Sequence, residues 1–386
     1  MVSIPLHTQI AIVGAGPVGA LAAIELARQG KQVLLIEARP AHIALRDQRT
    51  LALSFNSIRC FKQAGISLPE TQMTKINAVH ISQPAHFRRT LLRATDMNMP
   101  YLGMTCDYAA LIGACETALN QPNLSVLWQT SLTNIKSLNH FAELEIQHNG
   151  QTHSITADWV ILAEGGALAE KLPGIRRHSH DYQQSALVAT LSFEQTNNGT
   201  AYERFSTGGP MALLPYRDAY RLVWTRSPQE AEKLAAASFS AFAAEFEQTF
   251  GKRLGRLTSY ENAAVFPLQL KQLNKVYSGR VICIGNAAQT MHPVAAQGLN
   301  LGVRDAVALA ACFATPHSLT NSRLAQQYAA SRRLDAHATV GFTHSLVTVF
   351  DQPNMLLQLG RGTVMNALDS VPALRKKFTE HLIFGL

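Results

Sequence analysis

Paired cysteines are absent from this chain of 386 residues: Cys60, Cys106, Cys115, Cys283 and Cys312 are scattered, with no C-x-x-C and no regular spacing. That excludes a disulfide-stapled scaffold, points to a reducing cytosol and argues against a zinc site. Long apolar runs are missing too. The most apolar stretch, Ile10 to Ile24, is too short and too glycine-rich to span a bilayer. No secretory signal is expected, because MVSIPLHTQ leads straight into an apolar strand. Blocks of Lys and Arg interleaved with aromatics do not occur, so the formal charge of +8 and the pI near 9.3 do not make a nucleic-acid protein. Such an excess suits an anionic membrane surface or an anionic cofactor, or serves solubility alone. Repeats, low-complexity tracts and flexible linkers are lacking, as is any evident Ser/His/Asp triad or paired carboxylate. His292 with Pro293 reads as a rigid loop, since no second metal ligand stands at helical spacing.

Apolar material for filled cores is plentiful: 47% of residues are hydrophobic, the mean hydropathy is +0.01, and the length suits two domains. The organising stretch is Ile10 to Glu37, IAIVGAGPVGALAAIELARQGKQVLLIE, which reads as strand, tight turn, helix, strand. Ile10 to Val13 suit a strand buried on both faces, and glycines begin where that run ends. Gly14, Gly16 and Gly19 fit G-x-G-x-x-G at the strand-to-helix junction. The first glycine turns the chain, the second lets the backbone approach a pyrophosphate, and the third lets the helix lie close on the strand. N–H groups at the helix start, with the positive end of its dipole, then face the phosphates. Ala23 and Ala27 fall on one helix face, Gly30 ends the helix, and Val33 to Ile36 form the next strand. Glu37 stands about twenty residues past the motif, where a carboxylate can accept from both ribose hydroxyls of an adenosine. Ala38, which follows it, is assigned no ligand contact.

Further on, a loop carrying Arg46 and Arg49 precedes an amphipathic helix near Ser54 to Ala64, and cations beside a phosphate-binding turn make ligand contacts or simply lie on the surface. Alternation over Ala78 to Arg93 predicts strands, and Asp107 to Leu119 a helix. Short β segments follow at Ser125 to Trp128, Ala142 to Gln147, Ser154 to Thr156 and Trp159 to Ala163, with Asn149-Gly150 as a hairpin turn. The last delivers Glu164, Gly165 and Gly166 to a sheet edge, where open α/β sheets bind ligands. Leu187 to Phe193, Ala201 to Phe205, Met211 to Leu214 and Tyr220 to Thr225 suggest an antiparallel sheet, covered by one long helix near Pro228 to Phe250. Tyr202, Glu203, Arg204, Phe205, Leu214, Pro215, Tyr216 and Trp224 are its substrate-side candidates, although aromatics on strands usually serve the core.

Arg280 to Ile284 is again a strand, followed at once by GNAAQTMHPVAAQGLNLG. The amide of Asn286 can bond ligand hydroxyls, and N–H groups near Gly298, Leu299 and Asn300, where a helix opens, can bond an anion. Helices are expected over Ser322 to Phe350. In the tail, Leu374, Phe378, Leu382 and Ile383 recur at helical spacing beside Arg375, Lys376 and Lys377, the pattern of a helix lying on a membrane or docking on its own protein.

GAGPVG with Glu37, the arginine-bearing loop, the Ala163-Glu164-Gly165-Gly166 edge and GNAAQTMHPVAAQGLNLG together resemble the class A FAD-dependent aromatic hydroxylases over nearly the whole chain. Within them the likeness is to the ubiquinone-biosynthesis subgroup, the 2-polyprenyl-6-methoxyphenol hydroxylases, through the Asn of GNAAQT, YERFSTGGPMALLPY before RLVW, and HSLVTVF. The resemblance implies an α/β fold: a Rossmann-like FAD-binding domain with a parallel sheet and β-meander, a second antiparallel-sheet substrate domain, and C-terminal helices. Its segments would be residues 1–77, 101–183 and 272–350 for FAD, 78–100 and 184–271 for substrate, and 351–386 as a helical tail. By the same resemblance Gly14, Gly16, Pro17 and Gly19 hold the pyrophosphate and Glu37 the ribose. Arg49 lies along the cofactor, Glu164 and Gly165 sit near the pyrophosphate, Gly285 and Asn286 meet the ribityl chain, and Pro293 to Asn300 line the flavin ring.

The implied reaction is hydroxylation of a polyprenylated phenol: NAD(P)H reduces FAD, O2 adds at flavin C4a, and the ring carbon attacks the distal oxygen of the hydroperoxide. No side chain is singled out as an essential base. A biosynthetic protein assembly and peripheral contact of a cytoplasmic protein with the inner membrane face are compatible with it. Three positions depart from the family: Glu164 replaces Asp, Ala296 replaces Gly, and no Gln or Arg stands near Asp107. They keep two rival readings open, a flavin reductase or dehydrogenase that does not use oxygen and a nucleotide-binding partner without turnover.

Overall fold

Ile10, Ala11 and Ile12 are fully buried because the strand they belong to, β1 (His7–Val13), has a parallel neighbour on each side. The computed structural model describes residues 4–42, 49–83, 89–166, 168–206, 208–292, 296–351 and 370–385. β1 lies between β2 (Val33–Ile36) and β11 (Gln151–Leu162), with β8 (Leu124–Leu127) beyond β2. Past β11 come β18 (Val281–Cys283) and β17 (Tyr277–Ser278). β9 (Thr130–Ser137) and β10 (Ala142–His148) form a meander with β11. Its hairpin turns at Asn149 and Gly150, both with positive φ, which matches the twist of the flanking strands. The segments Ser154 to Thr156 and Trp159 to Ala163 thus fall in or beside one strand, whose first half pairs in the meander and whose second half joins the parallel core.

Helix α1 (Pro17–Arg28), α3 (Tyr108–Ala118) and α6 (Gln297–Phe313) pack on one face of this sheet, α1 presenting Ala20, Ala23, Ile24 and Ala27 to the core. A small sheet of β3 (Thr50–Ser54), β7 (Gly103–Asp107) and β4 (Thr74–Ile76) adjoins it, with α2 (Phe55–Gln63) following β3.

The second large sheet runs β19 (Gln289–Thr290), β16 (Leu257–Leu273), β12 (Arg177–Phe193), β15 (Ala219–Arg226), β14 (Gly209–Tyr216), β13 (Thr200–Ser206), β5 (Ala78–Ser82), β6 (Arg89–Arg93). All its pairings are antiparallel except β13 with β5. The expected 183/184 and 271/272 boundaries fall inside β12 and β16, both of which lie wholly in this second sheet.

Two elements differ from the sequence expectation. The single helix over Pro228 to Phe250 is two, α4 (Pro228–Ala235) and α5 (Phe239–Phe250), because Ser238 accepts the Ala241 N–H and caps a new helix. The seventeen-residue β16 has no apolar alternation, since most of its side chains are at least partly exposed, so it carries no periodic signal. α5 covers one face of the sheet with Phe242, Phe246 and Phe250 against Trp224, Leu222 and Tyr202. α7 (Leu324–Asp351) and α8 (Pro372–Phe384) complete the described chain.

Candidate active site

β1, β2, β11 and β18 run parallel and all end at the same edge, where open parallel sheets bind ligands. Here a crevice has a volume of about 730 Å3, and the loops after Val13 and after Ile284 both line it. The two loops meet through Val18: a methyl on Gly302 would stand 2.7 Å from Val18 Cγ2 and 3.3 Å from the Gly285 α-carbon. Only bare backbone lets α1 and α6 come this close.

Gly14, Gly16, Pro17, Glu37 and Arg49 line the crevice from the first half of the chain. Glu164 and Gly165 follow from the end of β11, Gly285, Asn286, Gly298 and Leu299 from the second half of the chain, and Leu214 from the second sheet. Gly16 has no atom within 4 Å of where a side chain would begin, so it faces open crevice. Gly19 does not line it. A methyl there would lie 2.0 Å from the Gly14 carbonyl oxygen, so its work is helix-to-strand packing.

Asn300 is likewise set back from the cavity. Its Oδ1 accepts from Ser54 N at 2.9 Å and Ser57 Oγ at 2.7 Å, and its Nδ2 donates to the carbonyls of Ala52 and Ala296, pinning α6 to β3 and α2. Arg204 does not line the cavity and shares a strand face with Tyr202, whose ring packs against α5, because side chains two apart on a strand share a face. Two further candidates, Tyr202 and Trp224, belong to that same core. Tyr216 donates to Asp107 Oδ2 at 3.1 Å beside the crevice, and Pro215 accepts from Thr105 Oγ1; neither lines it. Glu203 and Phe205 are also absent from the lining. Arg46 and Pro293 lie outside the described residues.

The local pattern passes over several wall residues. Ala38, to which the sequence assigns no contact, lines the crevice because β2 ends at its mouth and the chain runs on along the wall. Arg39 lines it too and reaches Glu37 Oε1 through Nε at 3.0 Å; its place two residues past the acidic position is the signal available for it. Tyr108, with the Arg49 guanidinium 4.8 Å from its ring centroid, and Thr130 to Leu132 have no such signal, since sheet pairing alone brings them there. Burial lowers the pKa of His292, also in the wall, from 6.5 to about 4, so its imidazole is neutral near pH 7.

An elongated dianionic ligand suits this donor set. α1 and α6 point their N-termini into the crevice, and neither has a capping side chain or an acidic residue in its first turn. α2, α4 and α5 are capped by Ser54, Ser227 and Ser238, whereas α3 and α8 lack a cap as α1 and α6 do, so it is their aim into the crevice that sets α1 and α6 apart. With no capping side chain at Gly16 or Ala296, the positive helix ends favour an anion in the crevice. At the Glu37 end the carboxylate already accepts three protein hydrogen bonds, from Ala15 N (2.7 Å), Arg39 N (2.9 Å) and Arg39 Nε. With about four acceptor sites on a carboxylate, one remains for a ligand hydroxyl rather than the expected two. Residues for a dinucleotide with a hydroxyl-bearing end are thus in place along the crevice.

Residues 7–343 match the family described as FAD binding domain. The 3-demethoxyubiquinol 3-hydroxylase of Escherichia coli is 31% identical over 319 residues, covering 78% of each chain. The ubiquinone hydroxylase UbiM of Neisseria meningitidis is 28% identical over 399 residues, 98% of this chain and 85% of that one. The solved structure of p-nitrophenol 4-monooxygenase PnpA from Pseudomonas putida DLL-E4 shares the fold with a TM-score of 0.78 at 15% identity, covering 99% of each chain. Sheet order, the converging helix ends and these likenesses agree: the chain belongs to the FAD-binding-domain family and is an FAD-dependent monooxygenase.

Proposed function

We propose that the chain hydroxylates the ring of a prenylated phenol in ubiquinone biosynthesis, using FAD in the crevice, NAD(P)H as reductant and O2 as oxidant. The observation that carries this is the convergence of two uncapped helix N-termini on one cavity whose far wall is apolar strand, in a chain whose relatives are named ubiquinone hydroxylases. FAD, when bound, supplies electron uptake from the nicotinamide and the activation of O2.

The chain's own residues bind, orient and exclude water. The Gly14 to Gly16 turn and the start of α1 hold the pyrophosphate, and Glu37 holds the ribose with its remaining acceptor site. Asn286 holds the ribityl hydroxyls. The α6 N-terminus at Gly298 and Leu299 sets a positive potential beside the flavin ring. Leu214 and Val223, projecting from the second sheet, form the dry wall against which a substrate ring packs. The electron-rich phenol itself drives the attack, which is why this reading assigns no essential side-chain base.

Feeding prenylphenols with NAD(P)H under 18O2 tests the proposal. One labelled oxygen in the product is expected; NAD(P)H oxidation with no label in any product favours the reductase reading and overturns this one. We place the protein peripherally on the membrane that dissolves such a substrate. No helix among the described residues is long and apolar enough to cross a membrane. Val371, the N-cap of α8, and Leu374 within it stand 46% and 44% exposed near Lys376 and Lys377, and cosedimentation with anionic vesicles should fall when both lysines become Glu.

A further inference from the structure

Two aspartates and two arginines are buried together between α6 and α7, away from the crevice lining. Asp305, Arg332, Asp335 and Arg304 are each at most 10% exposed and alternate in sign: Arg332 Nε to Asp305 Oδ1 2.8 Å, Arg332 Nη2 to Asp335 Oδ2 2.6 Å, Arg304 Nε to Asp335 Oδ2 2.8 Å. Well-packed apolar side chains of similar volume commonly stabilise a core as well as such a cluster does. Holding two helices together therefore does not account for four buried charges.

One member reaches out of the cluster. Asp305 Oδ2 accepts the backbone N–H of Gly285 at 3.1 Å and the side-chain amide of Gln289 at 3.2 Å. Those residues are the first and last of the turn that carries Asn286 to the crevice, so one oxygen closes the turn at both ends. Gln289 is held again through β19, where it pairs with Gln272 of β16. At the other end of the cluster, a methyl on Gly385 would lie 2.6 Å from Arg304 Nε and Asp335 Oδ1, and Gln297 at the start of α6 donates to the Leu382 carbonyl at 3.2 Å. The C-terminal helix thus abuts both the charge cluster and the crevice helix.

We propose that Asp305 is a positioning residue: it sets the Gly285 to Gln289 turn, and through it the Asn286 side chain toward the cofactor, while Arg332, Asp335 and Arg304 hold its carboxylate in place. This rests on the reading that the crevice takes FAD. A buried carboxylate accepting two bonds from one turn fixes that turn only while its own position is fixed, and the alternating charges do that without net charge in the core.

The test measures FAD binding to apoprotein by flavin fluorescence, the visible circular dichroism of the bound flavin, and thermal unfolding. Asp305→Asn should weaken FAD binding about tenfold or more, the loss expected for one hydrogen bond to a charged acceptor, and should alter the visible dichroism in the same sense as Asn286→Ala. Gln29→Leu, which removes a link from the end of α1 to α6 outside the charge cluster (Gln29 Nε2 to the Ala310 carbonyl, 3.0 Å), should lower the melting temperature and leave both flavin readouts unchanged. Asp305→Leu with Arg332→Leu, which keeps the core neutral, should recover stability without recovering FAD affinity.

Wild-type affinity and dichroism in that pair, or in Asp305→Asn, would overturn the role given to Asp305. Where Asp305→Asn does not fold, Gln289→Leu opens one end of the turn without touching charge; an unchanged FAD affinity and spectrum there would overturn it equally. Wild-type apoprotein that takes up no FAD would instead sink the reading of the crevice itself.

Discussion

One carboxylate oxygen of Glu37 accepts the backbone N–H of Ala15 at 2.7 Å, across the full width of the nucleotide motif. The acidic residue at the end of β2 thus shapes the glycine turn as well as facing the ligand. Glu37→Ala strands that buried N–H and leaves Arg39 only Glu116 and the Ala15 carbonyl, so we expect about 1–3 kcal/mol of lost stability together with weaker FAD binding. Urea unfolding and FAD titration of the same variant read the two effects. A variant that loses FAD affinity with unchanged stability would show that the Ala15 bond is idle.

Gly16 and Gly19 separate ligand space from packing. Gly16 has a negative φ of −66° and open space around it, so Gly16→Val should fold with near wild-type stability and bind no FAD, its side chain filling the crevice. Gly19→Val should instead cost about 3 kcal/mol or more through collision with the Gly14 carbonyl, because backbone cannot retreat as a side chain can. Flavin content and melting temperature after purification distinguish them; full flavin occupancy in Gly16→Val would remove the pyrophosphate from this turn.

Ala296 caps α6 with φ +51° and ψ +35°, a left-handed conformation that costs a non-glycine residue about 1–2 kcal/mol. Glycine is free of that cost but gives part of it back in chain entropy. Ala296→Gly should therefore stabilise the fold by about 0.5–1 kcal/mol. Chemical denaturation checks the sign, and a loss of stability would mean that the alanine methyl makes contacts outweighing the strain.

His292 gives stability a pH dependence of known sign. Its folded pKa of about 4 lies below the ordinary 6.5, so the unfolded chain binds the extra proton first as pH falls. The contribution is complete above pH 6.5 and is lost progressively down to pH 4, on the order of 3 kcal/mol in all. His292→Leu should flatten that limb of the stability curve; an identical acid limb in the variant would show that the imidazole does not titrate this way.

Much of the site was legible because it depends on local geometry. A strand buried on both faces followed by G-x-G-x-x-G, and the acidic residue ending the next strand, are properties of consecutive residues, and Gly14, Gly16 and Glu37 do meet at one crevice. Gly285, Asn286, Gly298 and Leu299 were legible on the same ground, as a second strand-turn-helix. Asn300 is next to Leu299 in the chain yet turns its amide to Ser54, Ser57 and Ala52, a choice made by what α6 packs on. Arg204 and Leu214 both sit on strands of one sheet, and alternation cannot say which face looks to the crevice until α5 covers the other.

By itself the sequence determined the two turns and the helices that leave them with their positive ends at the turns, since these follow from residue type and spacing within about thirty positions. Tertiary structure alone decided that the turns share a crevice, that Arg39, Tyr108 and Leu132 complete its wall, and that Asp305 closes the Asn286 turn. Those relationships join residues separated by tens to hundreds of positions, and they arise only when parallel strands order themselves around β1 and buried charges find partners on another helix.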